Sequence, residues 1–234
     1  MNKGIFITGT DTDIGKTYVA ALIVKKLAQG GYDPGYFKAA ASGIQVDADG
    51  TVHSDPSYVR EISGISASLE EMCPYTYVQA VSPHLACQSE GSPVDLAVVK
   101  NGFSKVCASH PYVVMEGSGG ILCPIRQEQG NQIWLEDIIR VLGLSSVIVA
   151  DAGLGTINHT VLTAFYMEQK KLPVRGVIFN HCHPGNAMEE DNISMIQKLT
   201  HLPVIARVKP GDEDLGISAQ KLASYFSDLV IAEE

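Results

Sequence analysis

The segment from Gly4 to Thr17, GIFITGTDTDIGKT, limits the possible folds more than any other stretch of the chain. Ile5, Phe6, Ile7 and Thr8 form a short apolar, β-branched run that reads as a buried strand ending at Gly9. After Gly15-Lys16-Thr17, apolar residues recur at helical spacing through Leu27, and Gln29-Gly30-Gly31 ends that helix. A strand, a glycine-bounded turn and a helix opening on Gly-Lys-Thr make a phosphate cradle. Free N–H groups at the helix start point into the turn, and the helix dipole adds positive potential. In such a cradle Lys16 reaches the outer phosphates and the Thr17 hydroxyl coordinates Mg2+. The common motif puts about four residues between its first Gly and the Gly-Lys pair. Here five, Thr10 to Ile14, follow Gly9, so Thr10 stands where that first Gly is expected.

The rest of the chain alternates strands with helices. Strands are expected at 36–40, 112–116, 146–150, 174–179 and 204–206. Helices are expected from Ser54-Asp55-Pro56 onward, at 93–109, 135–142, 156–170, 187–199 and 218–226. Residues 44–54 read as a polar loop, and 73–93, broken by Pro74, Pro83 and Pro93, as irregular. This alternation predicts an α/β fold: a mostly parallel, doubly wound sheet with helices on both faces, of P-loop nucleoside-triphosphatase type.

Polar residues at strand ends mark the candidate site, since open α/β sheets bind ligands at the carboxyl ends of their strands. Lys38 ends the second strand. Glu116 ends the third, followed by Gly117-Ser118-Gly119-Gly120, and is a candidate for holding Mg2+. Asp55 reads either as a metal ligand or, more simply, as a first-turn acid. Asn180 ends the fifth strand. It lacks the Lys-x-Asp that a guanine reader carries after its Asn, and its amide both donates and accepts, which suits adenine. ATP is therefore favoured over GTP. His181-Cys182-His183 reads as loop residues near the base, with no fourth metal ligand spaced nearby. No Gly-x-Ser-x-Gly or other nucleophile motif is present, which points to phosphoryl transfer onto a bound acceptor.

Composition narrows the partners. A net charge of −9 argues against nucleic acid and anionic membranes, and leaves any anionic ligand to be held by local groups. No run of residues approaches bilayer-spanning length, and no secretory signal is evident. The five cysteines are scattered and never form C-x-x-C, as expected of reduced thiols in a cytoplasmic protein.

The residues resemble the dethiobiotin synthetases, ATP-dependent cyclo-ligases of biotin synthesis, over nearly the whole chain. The extended cradle Gly9-Thr10-Asp11-Thr12-Asp13-Ile14-Gly15-Lys16-Thr17 is the most specific piece. Gly35-Tyr36-Phe37-Lys38 with Ser42-Gly43, Pro74-Tyr75-Thr76-Tyr77 with Ser82-Pro83-His84, Glu116-Gly117-Ser118-Gly119-Gly120, and Leu154-Gly155-Thr156-Ile157-Asn158-His159 add to it. The resemblance implies a single domain over residues 1–234, acting on 7,8-diaminononanoate, CO2 and ATP with Mg2+. Lys16 and Lys38 would neutralise the γ-phosphate and a carbamate, and Thr12 would sit between substrate and phosphate. Thr17, Asp55 and Glu116 would organise Mg2+.

The nucleotide would lie along Asp13, Ile14, Gly15, Lys16, Thr17 and Tyr18, with Gly117, Ser118 and Gly119 alongside. Its base would lie near Asn180, His181, Lys209, Pro210 and Gly211. Ser42 and Gly119 would contact the diamine. Gly155 and Asn158 would catch the substrate carboxylate across a homodimer interface. The family usually places Pro after its reactive lysine; Ala39 leaves Lys38 freer. A cobalamin-precursor amide ligase would need a glutaminase domain for which the chain has no room. A partitioning-type switch ATPase would carry a lysine between Thr10 and Ile14, where there is none.

Overall fold

The computed structural model describes residues 2–229. The chain runs through β1 (Lys3–Gly9), α1 (Lys16–Gln29), β2 (Pro34–Lys38), β3 (Ala40–Ser42), β4 (Gln45–Val46), β5 (Val52–His53), α2 (Asp55–Ser63), α3 (Leu69–Met72), β6 (Tyr75–Tyr77), α4 (Pro83–Glu90) and α5 (Leu96–Ser109). It continues through β7 (Tyr112–Gly120), β8 (Pro124–Glu128), β9 (Asn131–Trp134), α6 (Leu135–Val141), β10 (Ser146–Asp151), α7 (Thr156–Gln169), β11 (Val174–Asn180), α8 (Ala187–Thr200), β12 (Val204–Arg207), α9 (Ala219–Ala223) and β13 (Ser227–Asp228). The main sheet has the order β12-β11-β10-β1-β7-β2 with every pair parallel, and β13 adds antiparallel to the start of β1.

Strand periodicity builds two cores. Phe6, Phe37, Met115, Ile148 and Phe179 point to one face, against α5, α6, α7 and α8. Ile5, Ile7, Tyr36, Val114 and Val149 point to the other, against α1, α2 and α9. Successive residues of a strand face opposite sides, so a sheet covered on both faces needs continuous apolar strands. The doubly wound architecture is as expected. β1 lies where the chain diverges, toward β7 and β2 on one side and β10 to β12 on the other. Open α/β sheets form ligand crevices at such points.

Several boundaries differ from the sequence expectation. The second strand stops at Lys38; Ala40–Ser42 leaves the main sheet and pairs in parallel with β6. Residues 73–93 are not irregular, since Tyr75–Tyr77 forms that partner strand. Pro83 begins α4, because a helix tolerates proline in its first turn. The polar stretch 44–54 holds a small hairpin, turned at Asp47–Gly50. β7 continues past Glu116 to Gly120, with a register shift against β1 between Ile7 and Gly9. The last helix is only Ala219–Ala223, and the chain then returns as β13. Helix α2 starts as expected: the Ser54 hydroxyl accepts from the Ser57 N–H, and Pro56 sits in the first turn.

Candidate active site

The turn after β1 is shaped by one glycine. Gly15 caps α1 at φ 82°, and a Cβ there would lie 2.2 Å from Asn180 Nδ2. That amide donates to the Ile14 carbonyl at 2.9 Å, so β11 clamps the cradle from beside it. Asn180 is buried, and its Oδ1 has no hydrogen-bond partner among the described residues. An unpaired buried acceptor is costly, and a ligand N–H placed there would relieve it. Ile14 packs into the core below the cradle.

Lys16 is buried and folds back so that Nζ donates to the Asp11 carbonyl at 2.7 Å. Burial lowers its pKa, and the nearby Lys38 charge pushes the same way against the pull of Glu116.

Glu116 is the hub of the site. The Thr17 hydroxyl donates to Oε1 at 2.7 Å, Lys38 Nζ donates to the same oxygen at 2.7 Å, and the Tyr36 hydroxyl donates to Oε2 at 2.8 Å. Lys38 also donates to Asp55 Oδ2 at 2.6 Å. Burial disfavours the Lys38 ammonium, but Glu116 and then Asp55 outweigh it and hold its pKa above the ordinary lysine value. Burial likewise works against the Asp55 carboxylate, and Lys38 overcomes it, lowering that pKa. Asp55 is therefore more than the plain first-turn acid that the sequence favoured: it closes one side of an ion-pair triad. Thr17, Asp55 and Glu116 form an all-oxygen donor set, which suits Mg2+.

These groups line a cavity of about 760 Å3, together with Thr12, Asp13, Ser42, Ser118 and Gly119. The Ser42 hydroxyl donates to the Val81 carbonyl at 2.6 Å, and that of Ser118 to the Ala40 carbonyl at 2.9 Å. Both bonds hold the wall and leave hydroxyl lone pairs free to accept. Gly117 faces the core instead, where a Cβ would meet Phe6 and Leu135 at 2.8 to 2.9 Å.

The wall from Ala80 to Pro83, beside Ser42, and Cys123, beside Gly119, were not assigned from sequence. Ser82-Pro83 is a helix-start signature that marks this wall. Nothing local marks Cys123, whose thiol burial pushes up to about 11 although Lys16 and Lys38 pull it down.

The remaining candidates lie outside this cavity's lining. The Tyr18 hydroxyl donates to the Asp212 carbonyl, and Cys182 N–H bonds the Val208 carbonyl at 2.9 Å. The 181–183 and 209–212 loops thus meet near Asn180, and Asp212 accepts from the Lys209 N–H at 2.8 Å; Pro210 and Gly211 complete that turn. His181 pairs with Asp151 at 2.6 Å and His183 with Glu189 at 2.9 Å, so the two histidines face different carboxylates. Gly155 and Asn158 line a separate cavity of about 510 Å3 at α7, with Leu154, Leu162, Phe165 and Leu199.

Comparisons with known proteins agree with this geometry. A family model described as an AAA domain matches residues 3–216. An ATP-dependent dethiobiotin synthetase of Brachyspira hyodysenteriae is 49% identical over 90% of this chain and 94% of its own length. One from Clostridium novyi is 44% identical over 98% and 95%. Among solved structures, the MinD cell division protein of Aquifex aeolicus shares the fold, with a TM-score of 0.55 at 13% identity over 95% of this chain and 94% of that one. At that identity the likeness concerns the fold alone. With the cradle, the buried acid on β7 and relatives of this identity over nearly its full length, the chain belongs to the ATP-dependent dethiobiotin synthetase family.

Proposed function

We propose that the protein is a cytoplasmic, single-domain enzyme that converts 7,8-diaminononanoate, CO2 and ATP into dethiobiotin, ADP and phosphate. One amine attacks the CO2 carbon and loses a proton, giving a carbamate. A carbamate oxygen attacks the γ-phosphorus, the bond to the β-bridging oxygen breaks, and ADP leaves. The second amine attacks the carbonyl carbon of the resulting anhydride, phosphate departs with the C–O electron pair, and the released protons pass to solvent. The product is a cyclic urea.

The observation that carries this reading is the lysine pair. Lys16 and Lys38 line one cavity at the cradle, and burial keeps the Cys123 thiol in the same lining protonated by raising its pKa to about 11. Two anions must meet there, and cationic groups in a partly dry site offset their repulsion. The substrate supplies both nucleophiles, so the protein needs none. Mg2+, held by Thr17, Asp55 and Glu116, would neutralise phosphate charge. Thr12 and Asp13 would border the γ-phosphate, and Ser42 and Gly119 the diamine. Asn180 Oδ1 would accept from the adenine amino group, with His181 and Lys209 to Gly211 beside the base. Phosphate release from Mg·ATP and bicarbonate should depend on added diamine and yield a cyclic urea visible by mass spectrometry. Hydrolysis indifferent to the diamine would instead favour a switch ATPase.

The chain would act as a homodimer, with Gly155 and Asn158 meeting the carboxylate end of the partner's substrate. Support comes from the face formed by α7, the turn before it and the end of α8, where Leu154 is 90% and Leu162 60% exposed beside half-exposed Phe165 and Leu199. An apolar patch of that kind marks an interaction surface. Leu162→Arg should convert a dimer to a monomer by light scattering, and cut turnover at least about tenfold, with ADP affinity unchanged. A wild-type protein that is monomeric at assay concentration would refute the dimer.

A further inference from the structure

Tyr36 stands two residues before Lys38 on β2, so both side chains project to the same face of the sheet. In register, Lys38 lies beside Glu116 and Tyr36 beside Val114 on the neighbouring strand. Tyr36 is 1% exposed and the Glu116 side chain is fully buried. The two carboxylate oxygens are divided between different tasks. Oε1 accepts from Thr17 and Lys38, which themselves line the cavity. Oε2 accepts from the Tyr36 hydroxyl, its hydrogen-bond partner among the described residues.

We infer that Tyr36 is a positioning residue, whose phenol holds Glu116 Oε2 so that Oε1 stays presented to the cavity when Lys38 turns to the reactants. Any step that draws the Lys38 ammonium toward an anion strips Glu116 of its strongest partner. A buried carboxylate losing a charged partner would follow it or rotate. The phenol prevents both, because its ring is packed in the core and its O–H is directed at the rear oxygen. Phenylalanine at this position keeps the packing and leaves Oε2 buried without a donor. The free carboxylate would then turn and hold Lys38 back from the substrate.

The inference rests on the proposed placement of the metal at Thr17, Asp55 and Glu116. Its test therefore reads Mn2+ binding directly, by electron paramagnetic resonance on the ADP complex, in wild type, Tyr36→Phe and Glu116→Gln. Hydrogen-bond partners of metal ligands typically contribute 10–100-fold to metal affinity. Tyr36→Phe should weaken Mn2+ at least about tenfold, while ADP affinity without metal moves less than about twofold. In turnover, kcat should fall with the diamine KM nearly constant.

Unchanged Mn2+ affinity in Tyr36→Phe, alongside a clear loss in Glu116→Gln, overturns the positioning role and spares the metal placement. No loss in Glu116→Gln overturns the placement and this inference with it. Should Tyr36→Phe not fold, Tyr36→Phe/Glu116→Gln, which removes the orphaned charge as well, is tested next. Recovery of folding there ties the phenol to Oε2, and failure makes Tyr36 a packing residue and overturns the inference.

Discussion

Lys38→Gln should reduce diamine-dependent turnover on the order of 10³-fold while ATP still binds within a few-fold of wild type. The two halves of this expectation come from different parts of the site. On the proposed reading, nucleotide phosphates would be gripped by the backbone N–H groups of the cradle and by Lys16, which the substitution leaves alone. Lys38 comes from another strand, and its ammonium sits 2.6 Å from Asp55 and 2.7 Å from Glu116. When two anions approach one another, that charge must be supplied where repulsion develops, and a neutral amide cannot supply it. Glutamine still donates to one of the two carboxylates, so the fold survives with a modest loss of thermal stability. Isothermal titration with a non-hydrolysable ATP analogue, set beside phosphate release, separates the two effects. Loss of nucleotide affinity equal to the loss of turnover would move Lys38 out of the substrate role and into nucleotide binding.

Gly15→Ala should weaken ATP binding by roughly 10²-fold, about 2.7 kcal/mol. Two costs combine. A left-handed conformation at φ 82° costs an alanine roughly 1–2 kcal/mol. The new Cβ also collides with Asn180 Nδ2 at 2.2 Å, so either Asn180 abandons the Ile14 carbonyl or the cradle opens. Both outcomes spoil the array of N–H groups that phosphate needs. Gly64→Ala is the control, since Gly64 is also left-handed, at φ 75°, but a Cβ there meets nothing within 4 Å. That variant should lose only the strain term in stability and keep its nucleotide affinity. Equal nucleotide affinities in the two variants would show that neither the left-handed strain at Gly15 nor the approach to Asn180 shapes the nucleotide site.

The two cases show how differently site residues announce themselves. Gly15, Lys16 and Thr17 are contiguous, and their proposed role follows from a local strand–turn–helix, so spacing suffices to nominate them. Glu116 and Lys38 are visible as polar residues ending apolar strands. Asp55 was ambiguous, because a first-turn acid that stabilises a helix and one that serves a metal site look alike in sequence; the 2.6 Å bond to Lys38 shows only that it belongs to the buried charge cluster. Tyr36 gave no signal, since a tyrosine in a buried strand reads as core until its hydroxyl is seen on Glu116. The wall from Ala80 to Pro83 was hidden in a stretch whose prolines suggested irregular backbone, although Pro83 starts a helix and Tyr75–Tyr77 borrows its partner from 35 residues earlier.

Sequence alone determined what is written in local period and spacing: the cradle, the alternation of strand and helix, the two-faced burial of the sheet, and the family. The tertiary structure decided the strand order β12-β11-β10-β1-β7-β2, which sets β7 between β1 and β2 and so brings Lys38 and Glu116 together beside the cradle. It also decided the bond from Asn180 to Ile14 and the separation of Gly155 and Asn158 into a second cavity. The physical reason is range. Helix and strand patterns arise from neighbours a few residues apart, whereas pairing between strands and the charge balance of a buried triad depend on groups tens of residues distant, whose meeting no local pattern records.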